Sequence, residues 1–334
     1  MKIIIPMAGR GSRLRPHTLT VPKPLLPVAG KPIVQRIVED LAKAFPGNVE
    51  EVAYIIGDFG EQVEKDLVAI AASLGAKGTI YHQEVPLGPA HAISMAGESL
   101  SGPCLVAFAD TLFDASFDFD TSQDGFIWVQ KVEDPSSYGV VTTDADNVIT
   151  GFVEKSPTFV SDQAIVGIYY FREGEQLRDE IRYMLEHNIT DKGEFQITTA
   201  LERLRQKGVR FQPASIREWL DCGNKDNVIH TNQRMLELTK DQDLVSASAT
   251  IENSVIIPPC YIGENAVIKN AVVGPYVSLG HRSVVEDAVI KTSVIQNDSQ
   301  IKNVTLQEAM IGSQVECFGK KTEISLGDYS KFSL

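Results

Sequence analysis

Two segments near the N-terminus carry residue types suited to polyphosphate chemistry. The first, Ala8-Gly9-Arg10-Gly11-Ser12-Arg13-Leu14, follows a short β-branched run, Lys2–Met7. Glycine lets a backbone turn sharply and approach an anion, leaving successive N–H groups free to cradle phosphate oxygens. The spacing is not a dinucleotide fingerprint, since the third glycine of G-x-G-x-x-G would stand at Leu14, and no G-x-x-x-x-G-K-[ST] occurs. Arg13, two residues past the second glycine, can neutralise a polyphosphate. The second segment, Pro22-Lys23-Pro24-Leu25-Leu26-Pro27-Val28-Ala29-Gly30-Lys31-Pro32, presents Lys23 from a loop stiffened by proline. Charge placement agrees: residues 1–36 carry +7 with no acid, and the remaining 298 residues carry −20. A local cationic patch on an acidic chain points to one specific anionic ligand.

Further along, chemistry-bearing groups occur singly. Asp110 closes the apolar run Cys104–Ala109, and Asp221 lies in Glu218-Trp219-Leu220-Asp221-Cys222-Gly223. Two such carboxylates suit Mg²⁺, which takes one or two of them together with substrate phosphates, although an isolated Asp is more often a turn residue. In His82-Gln83-Glu84-Val85-Pro86-Leu87-Gly88-Pro89-Ala90-His91-Ala92, the Gln83 amide and the Gly88 backbone can read a base edge, while His91 reads as a packing residue. Glu154 beside Lys155 offers a carboxylate for hydroxyls and an ammonium for a phosphate; an ordinary surface ion pair has the same composition.

Taken in order, these motifs resemble the signature of the sugar-1-phosphate nucleotidylyltransferases (nucleotide-sugar pyrophosphorylases), over most of the first 225 residues. The likeness is closest to the glucose-1-phosphate thymidylyl- and uridylyltransferases. It implies an enzyme of nucleotide-sugar biosynthesis in which the phosphate of a sugar 1-phosphate attacks the α-phosphate of dTTP or UTP, with Mg²⁺, and releases pyrophosphate. A GTP-dependent mannose-1-phosphate guanylyltransferase is the alternative within the family, as is a non-catalytic sensor or assembly subunit. The resemblance implies catalytic roles for Arg13 and Lys23, and nucleotide contacts at Ala8, Gly9, Gly11, Ser12, Gln83 and Gly88. It implies sugar-phosphate contacts at Tyr138, Gly139, Glu154, Lys155, Val166 and Lys192, and metal ligands at Asp110 and Asp221. The chain departs from the family pattern in having Ala8 for the first loop glycine, Ala109-Asp110-Thr111 for Gly-Asp-Asn, and Lys192 where thymidylyltransferases carry a phosphate-binding Arg.

The elements that must position these residues show two periods. Up to about residue 240, short apolar runs alternate with helical spacings, such as Ile33, Ile37, Val38, Leu41 and Phe45, or Val63, Leu67, Ile70 and Leu74. Further helices are expected at Gln176–His187 and Glu194–Lys207, with strand-rich sequence after Phe126. This predicts an α/β class: a Rossmann-like mixed sheet, mainly parallel and covered by helices, over residues 1–240. From residue 246 to 312 apolar residues fall every five or six positions, from Ile251 through Ile257, Ile262 and Ile268 to Ile311. That period predicts a short three-faced solenoid and resembles the hexapeptide repeats of left-handed parallel β-helices. Residues 313–334 form a tail without a clear reading. The solenoid's exposed faces and coil ends suggest a homo-oligomer or a regulatory module, and its brevity argues against an acyltransferase site.

Composition narrows the class. A net charge of −13 opposes general nucleic-acid binding. No apolar run approaches the roughly 18 residues of a membrane span, and the short N-terminal run is not a signal peptide. The four cysteines, Cys104, Cys222, Cys260 and Cys317, form no CxxC. A cytoplasmic protein with small-molecule partners, a nucleoside triphosphate and a sugar 1-phosphate, is the expectation.

Overall fold

The structure, a computed structural model, describes all residues except Arg10, Phe45, Pro46, 115–119, Thr322, Ile324 and 332–334. Arg10 of the glycine loop and Phe45 of the first expected helix therefore lie outside the described residues. The chain divides into two compact units. One comprises Met1–Leu26 and Lys31–Val228; the other comprises Pro27–Gly30 and Ile229–Leu334.

In the first unit, Ile3, Ile4 and Ile5 are fully buried in a 9-stranded sheet, as a continuous apolar run predicts for a strand covered on both faces. Strand Lys2–Pro6 pairs in parallel with Glu51–Ile56 and Cys104–Ala107, and Glu51–Ile56 pairs in parallel with Lys77–His82. Beyond Cys104–Ala107 the pairing becomes mostly antiparallel, although Phe211–Ser215 joins Gly125–Lys131 in parallel, so the sheet is evenly mixed rather than mainly parallel as the sequence suggests. Gln163–Phe171 pairs there with Cys104–Ala107, Gly125–Lys131 and Gly139–Thr143, and the last of these pairs with Ile149–Glu154. Helices Ile33–Ala44, Glu61–Ser73, Gly174–Glu186 and Ile197–Gln206 each bury an apolar stripe; the first buries Ile33, Val34, Ile37, Val38 and Leu41. The last begins later than Glu194. Asp191 and Glu194 pair with each other, and the Phe195 backbone bonds Leu87 O (2.9 Å) and Ala90 N (2.9 Å). These residues are committed to a clasp on the Leu87–Ala90 turn before the helix can start.

Sequence periodicity does not reveal a second small ladder, in which Thr111–Asp114 pairs antiparallel with Glu218–Asp221. Four-residue strands with about a hundred residues between them carry too little pattern to announce their pairing.

In the second unit the near-six period becomes three stacks of parallel strands, a β-helix. Ile251 aligns with Ile268, Ile268 with Val285, Val285 with Ile301 and Ile301 with Cys317. The ladder thus continues past residue 312, into the strand Glu316–Phe318. Ile262, Ile268, Val273, Leu279, Val285 and Ile290 are fully buried, as expected of inward positions. Ile251 and Ile257 are each 40% exposed, because they occupy the first coil, where stacking is one-sided. Pro27–Gly30 also belongs to this unit: Ala29 N–H donates to Asn232 Oδ1 (2.9 Å), and any Cβ on Gly30 (φ +85°) would press to 2.2 Å from the Tyr261 ring.

Candidate active site

Ligands of open α/β sheets collect at the carboxyl ends of the strands. Here a cavity of about 370 Å³ opens there, where Lys2–Pro6, Lys77–His82 and Cys104–Ala107 end. Its lining brings together Ala8, Gly9, Gly11, Arg13, Lys23, Gln83, Gly88 and Asp110, eight of the residues expected from sequence.

Local sequence explains the wall. Gly11 has φ +73°, and an added Cβ would sit 2.7 Å from the Lys23 Cβ, so only glycine lets the two loops close on each other. The loop is pinned by Thr18 Oγ1, which donates to Gly11 O (2.8 Å), and by the buried Leu14, whose N–H donates to Gly11 O (3.0 Å). Ser12 opens the Ser12–Leu14 turn and is exposed, outside the cavity lining. After Pro22, the Lys23–Leu25 turn buries the Lys23 stem and brings its Nζ to 3.5 Å from Asp110 Oδ2. Not every base of the cationic segment serves the cavity. Lys2 Nζ donates to Ser101 Oγ, and Lys31 pairs with Glu39 at 2.7 Å. Arg13 is exposed and has no ion pair among the described residues.

The short ladder brings the backbones of the two candidate metal ligands together, with Asp110 lining the cavity and Asp221 outside that lining. Asp221 lies opposite Thr111, and Cys222 N–H donates to Asp110 O (3.1 Å). Asn227 Nδ2 holds Asp221 Oδ2, and a Cβ on Gly223 would press that same oxygen at 2.8 Å. Both carboxylates are exposed, and oxygen donors of this kind suit a hard divalent cation that takes most of its ligands from phosphate and water.

The expected sugar-phosphate residues form a second cluster. Gly139 pairs with Glu154 across two strands, and Lys155 N–H donates to Tyr138 O (3.0 Å). Glu154 accepts from Thr198 Oγ1 (2.9 Å) and pairs with Lys155 Nζ (3.2 Å). Lys192 Nζ donates to the carbonyls of Glu154 (3.1 Å) and Lys155 (2.7 Å), so it braces that turn. Tyr138 packs on Trp219 with ring centroids 5.0 Å apart, two residues from Asp221. Val166 is buried on Gln163–Phe171; next to it, Gly167 O accepts from the N–H of Phe108, a cavity residue. Tyr169 lies on the same strand and is buried. Burial, then the negative charges of Glu154 and Asp110, push its phenol above the ordinary 10.

Sequence reasoning missed Thr198, Asn227 and Trp219 as supports. Thr198 and Asn227 carry no motif of their own, and Trp219 reads as an ordinary strand residue.

A family profile described as Nucleotidyl transferase matches residues 2–237. This chain belongs to the nucleotidyl transferase family. The transferase is 32% identical over 278 residues to "Mannose-1-phosphate guanylyltransferase catalytic subunit beta" of Danio rerio, across 79% of this chain and 74% of that relative. It is 30% identical over 270 residues to "Low-salt glycan biosynthesis nucleotidyltransferase Agl11" of Haloferax volcanii, across 76% and 72% of the two chains. A crystal structure of UDP-glucose pyrophosphorylase complexed with UDP-glucose has the same fold, with a TM-score of 0.58 at 24% identity over 71% of this chain and 98% of that one. Among the described residues, no helix is long and apolar enough to cross a membrane.

Proposed function

We propose that this nucleotidyl transferase moves a nucleotidyl group from a nucleoside triphosphate to a sugar 1-phosphate and releases pyrophosphate. The observation that carries the reading is the convergence of Arg13, Lys23, Asp110, Gln83 and Gly88 on one cavity at the strand ends. Positioning and electrostatic stabilisation dominate phosphoryl-group chemistry, so cations fixed in advance are what such a site needs. Lys23, whose side chain is about nine-tenths buried, is pre-placed for the triphosphate, and Arg13 meets the charge of the departing pyrophosphate. Gly88 stands at φ +122° with Phe195 backbone atoms within 2.8 Å of where a Cβ would be, so the turn approaches a base as bare backbone. Glu154 takes sugar hydroxyls, and Lys155 takes the sugar phosphate. Asp110 and Asp221 would hold Mg²⁺, which, when bound, neutralises phosphate charge.

For the substrate pair, the 32% identity to a mannose-1-phosphate guanylyltransferase subunit supports GTP with mannose 1-phosphate. The motif resemblance supports dTTP or UTP with glucose 1-phosphate as a second reading. The deciding experiment is a pyrophosphate-release screen crossing five nucleoside triphosphates with a panel of sugar 1-phosphates and Mg²⁺. One strongly preferred pair is expected; pyrophosphate release from no pair overturns the reading.

A further inference from the structure

Gln83 follows the strand Lys77–His82, lines the cavity and is 8% exposed. Its side-chain nitrogen Nε2 lies 2.8 Å from His91 Nδ1 and 3.5 Å from Gly88 O. A carbonyl oxygen only accepts hydrogen bonds, so this side of the pocket calls for the amide nitrogen of Gln83 rather than its oxygen. With Nε2 donating, His91 Nδ1 must be the unprotonated nitrogen and Nε2 of the ring must carry the proton. Burial lowers the His91 pKa below its ordinary 6.5, which keeps the ring neutral and Nδ1 available as an acceptor near pH 7. Gln83 Oε1 is then the amide's uncommitted end, with no hydrogen-bond partner among the described residues.

Resting on the nucleotidyl-transfer reading, we propose that His91 is a specificity-positioning residue that fixes Gln83 Oε1 as an obligatory acceptor for the base. An acceptor at this point selects a base whose Watson–Crick edge presents a ring N–H. Thymine, uracil and guanine do so; adenine and cytosine present a bare ring nitrogen there instead. His91 itself touches no substrate. Its effect passes through the orientation of one amide, which a freely rotating Gln83 could reverse.

The test uses the full chain, with kcat and KM measured for GTP, UTP, dTTP, ATP and CTP at a fixed sugar 1-phosphate. His91→Lys supplies only donors, so it turns Gln83 Oε1 inward and offers Nε2 to the base. The kcat/KM preference for ring N–H bases then falls on the order of tenfold or more, through the nucleotide KM, with the sugar-phosphate KM unchanged. His91→Asn, whose Oδ1 accepts, restores the wild-type ratio, and His91→Leu lowers it without reversing it. A wild-type ratio retained in folded His91→Lys and His91→Leu overturns the proposal and leaves His91 as packing alone. A wild-type enzyme that prefers ATP or CTP also overturns it, while leaving nucleotidyl transfer intact. If no sugar phosphate is turned over, the transfer reading fails separately. The same five nucleotides are then ranked by the thermal shift each produces, with equal shifts in wild type and His91→Lys counting against the proposal.

Discussion

Both units use left-handed backbone at residues other than glycine, and they hold it in different ways. In the β-helix it recurs at Asn265, Asn270, Tyr276, Arg282, Asp287, Thr292, Asp298, Asn303, Glu308 and Gln314, every five or six residues. These are the corners of the coils. Asn and Asp tolerate the conformation, and the others accept it because stacking fixes them. Arg282 N–H donates to Glu264 O (2.9 Å), Thr292 N–H to Pro275 O (2.9 Å) and Gln314 N–H to Asn297 O (3.0 Å), each one coil back. In the transferase unit the described cases are Asn147, Asn188, Lys155 and Lys192. The two lysines belong to the expected sugar-phosphate cluster, and specific bonds hold them: Lys192 Nζ to the Glu154 and Lys155 carbonyls. Left-handed backbone is thus spread by repetition in one unit, while in the other the two lysines that adopt it lie beside candidate chemistry.

That division separates substitutions into those that stop turnover without melting and those that melt. Arg13→Ala gives the largest effect of the first kind. Arg13 is exposed on the cavity and supports no ion pair among the described residues, so its loss costs the fold little. Turnover is expected to fall on the order of 10²–10³-fold, the usual loss for one electrostatic donor at a transferring group. Wild-type turnover in Arg13→Ala would remove the glycine loop from the chemistry. Asp221→Asn comes next. It keeps the side-chain shape but loses the negative charge, so half-maximal activity requires more Mg²⁺ and turnover falls on the order of tenfold. An unchanged Mg²⁺ titration moves the metal elsewhere.

The same comparison explains what the sequence made legible. The solenoid was readable because its period repeats Ile262, Ile268, Val273 and Leu279 in identical surroundings, and error averages out. The cavity was readable because glycines, prolines and bases cluster within the first 32 residues. What stayed hidden depends on residues far apart in the chain: the ladder joining Thr111 to Asp221, the Phe195 clasp on Gly88, and Thr198 behind Glu154. None of these pairs has a local pattern. The bracing role of Lys192 was hidden too, because a lysine's type does not reveal whether it meets a phosphate or a carbonyl.

Asn232 tests the structural side in the second unit. Its buried Oδ1 accepts from Ala29 N–H (2.9 Å) and Ser278 Oγ (2.7 Å), tying Pro27–Gly30 into that unit. Asn232→Ala removes the shared acceptor, and a loss of about 1–3 kcal/mol of stability is expected, measured by denaturant unfolding. No loss would mean that the segment is held by its other contacts alone.

The smallest effect lies in the transferase unit but away from the cavity. Glu180 is 1% exposed and bonded by Arg203 and Lys207, which are 28% and 58% exposed. Burial raises its pKa, but hydrogen bonds and charge from Lys207 and Arg203 outweigh that and hold it below the ordinary 4.5. A depressed carboxylate contributes stability above its unfolded pKa and loses it as pH falls through the folded value. Glu180→Gln keeps the shape and removes the charge, and the two cations left behind are partly solvated. The expected cost near pH 7 is therefore only about 1 kcal/mol, discounted for solvent screening at Lys207. The gap in melting temperature between wild type and Glu180→Gln should narrow as the pH is lowered below 4.5, while turnover at pH 7 stays at the wild-type level. A gap that widens on acidification would mean that the carboxyl is held protonated in the fold. A fall in turnover with no change in melting would place Glu180 with the chemistry and break the division between the two kinds of residue inside one unit.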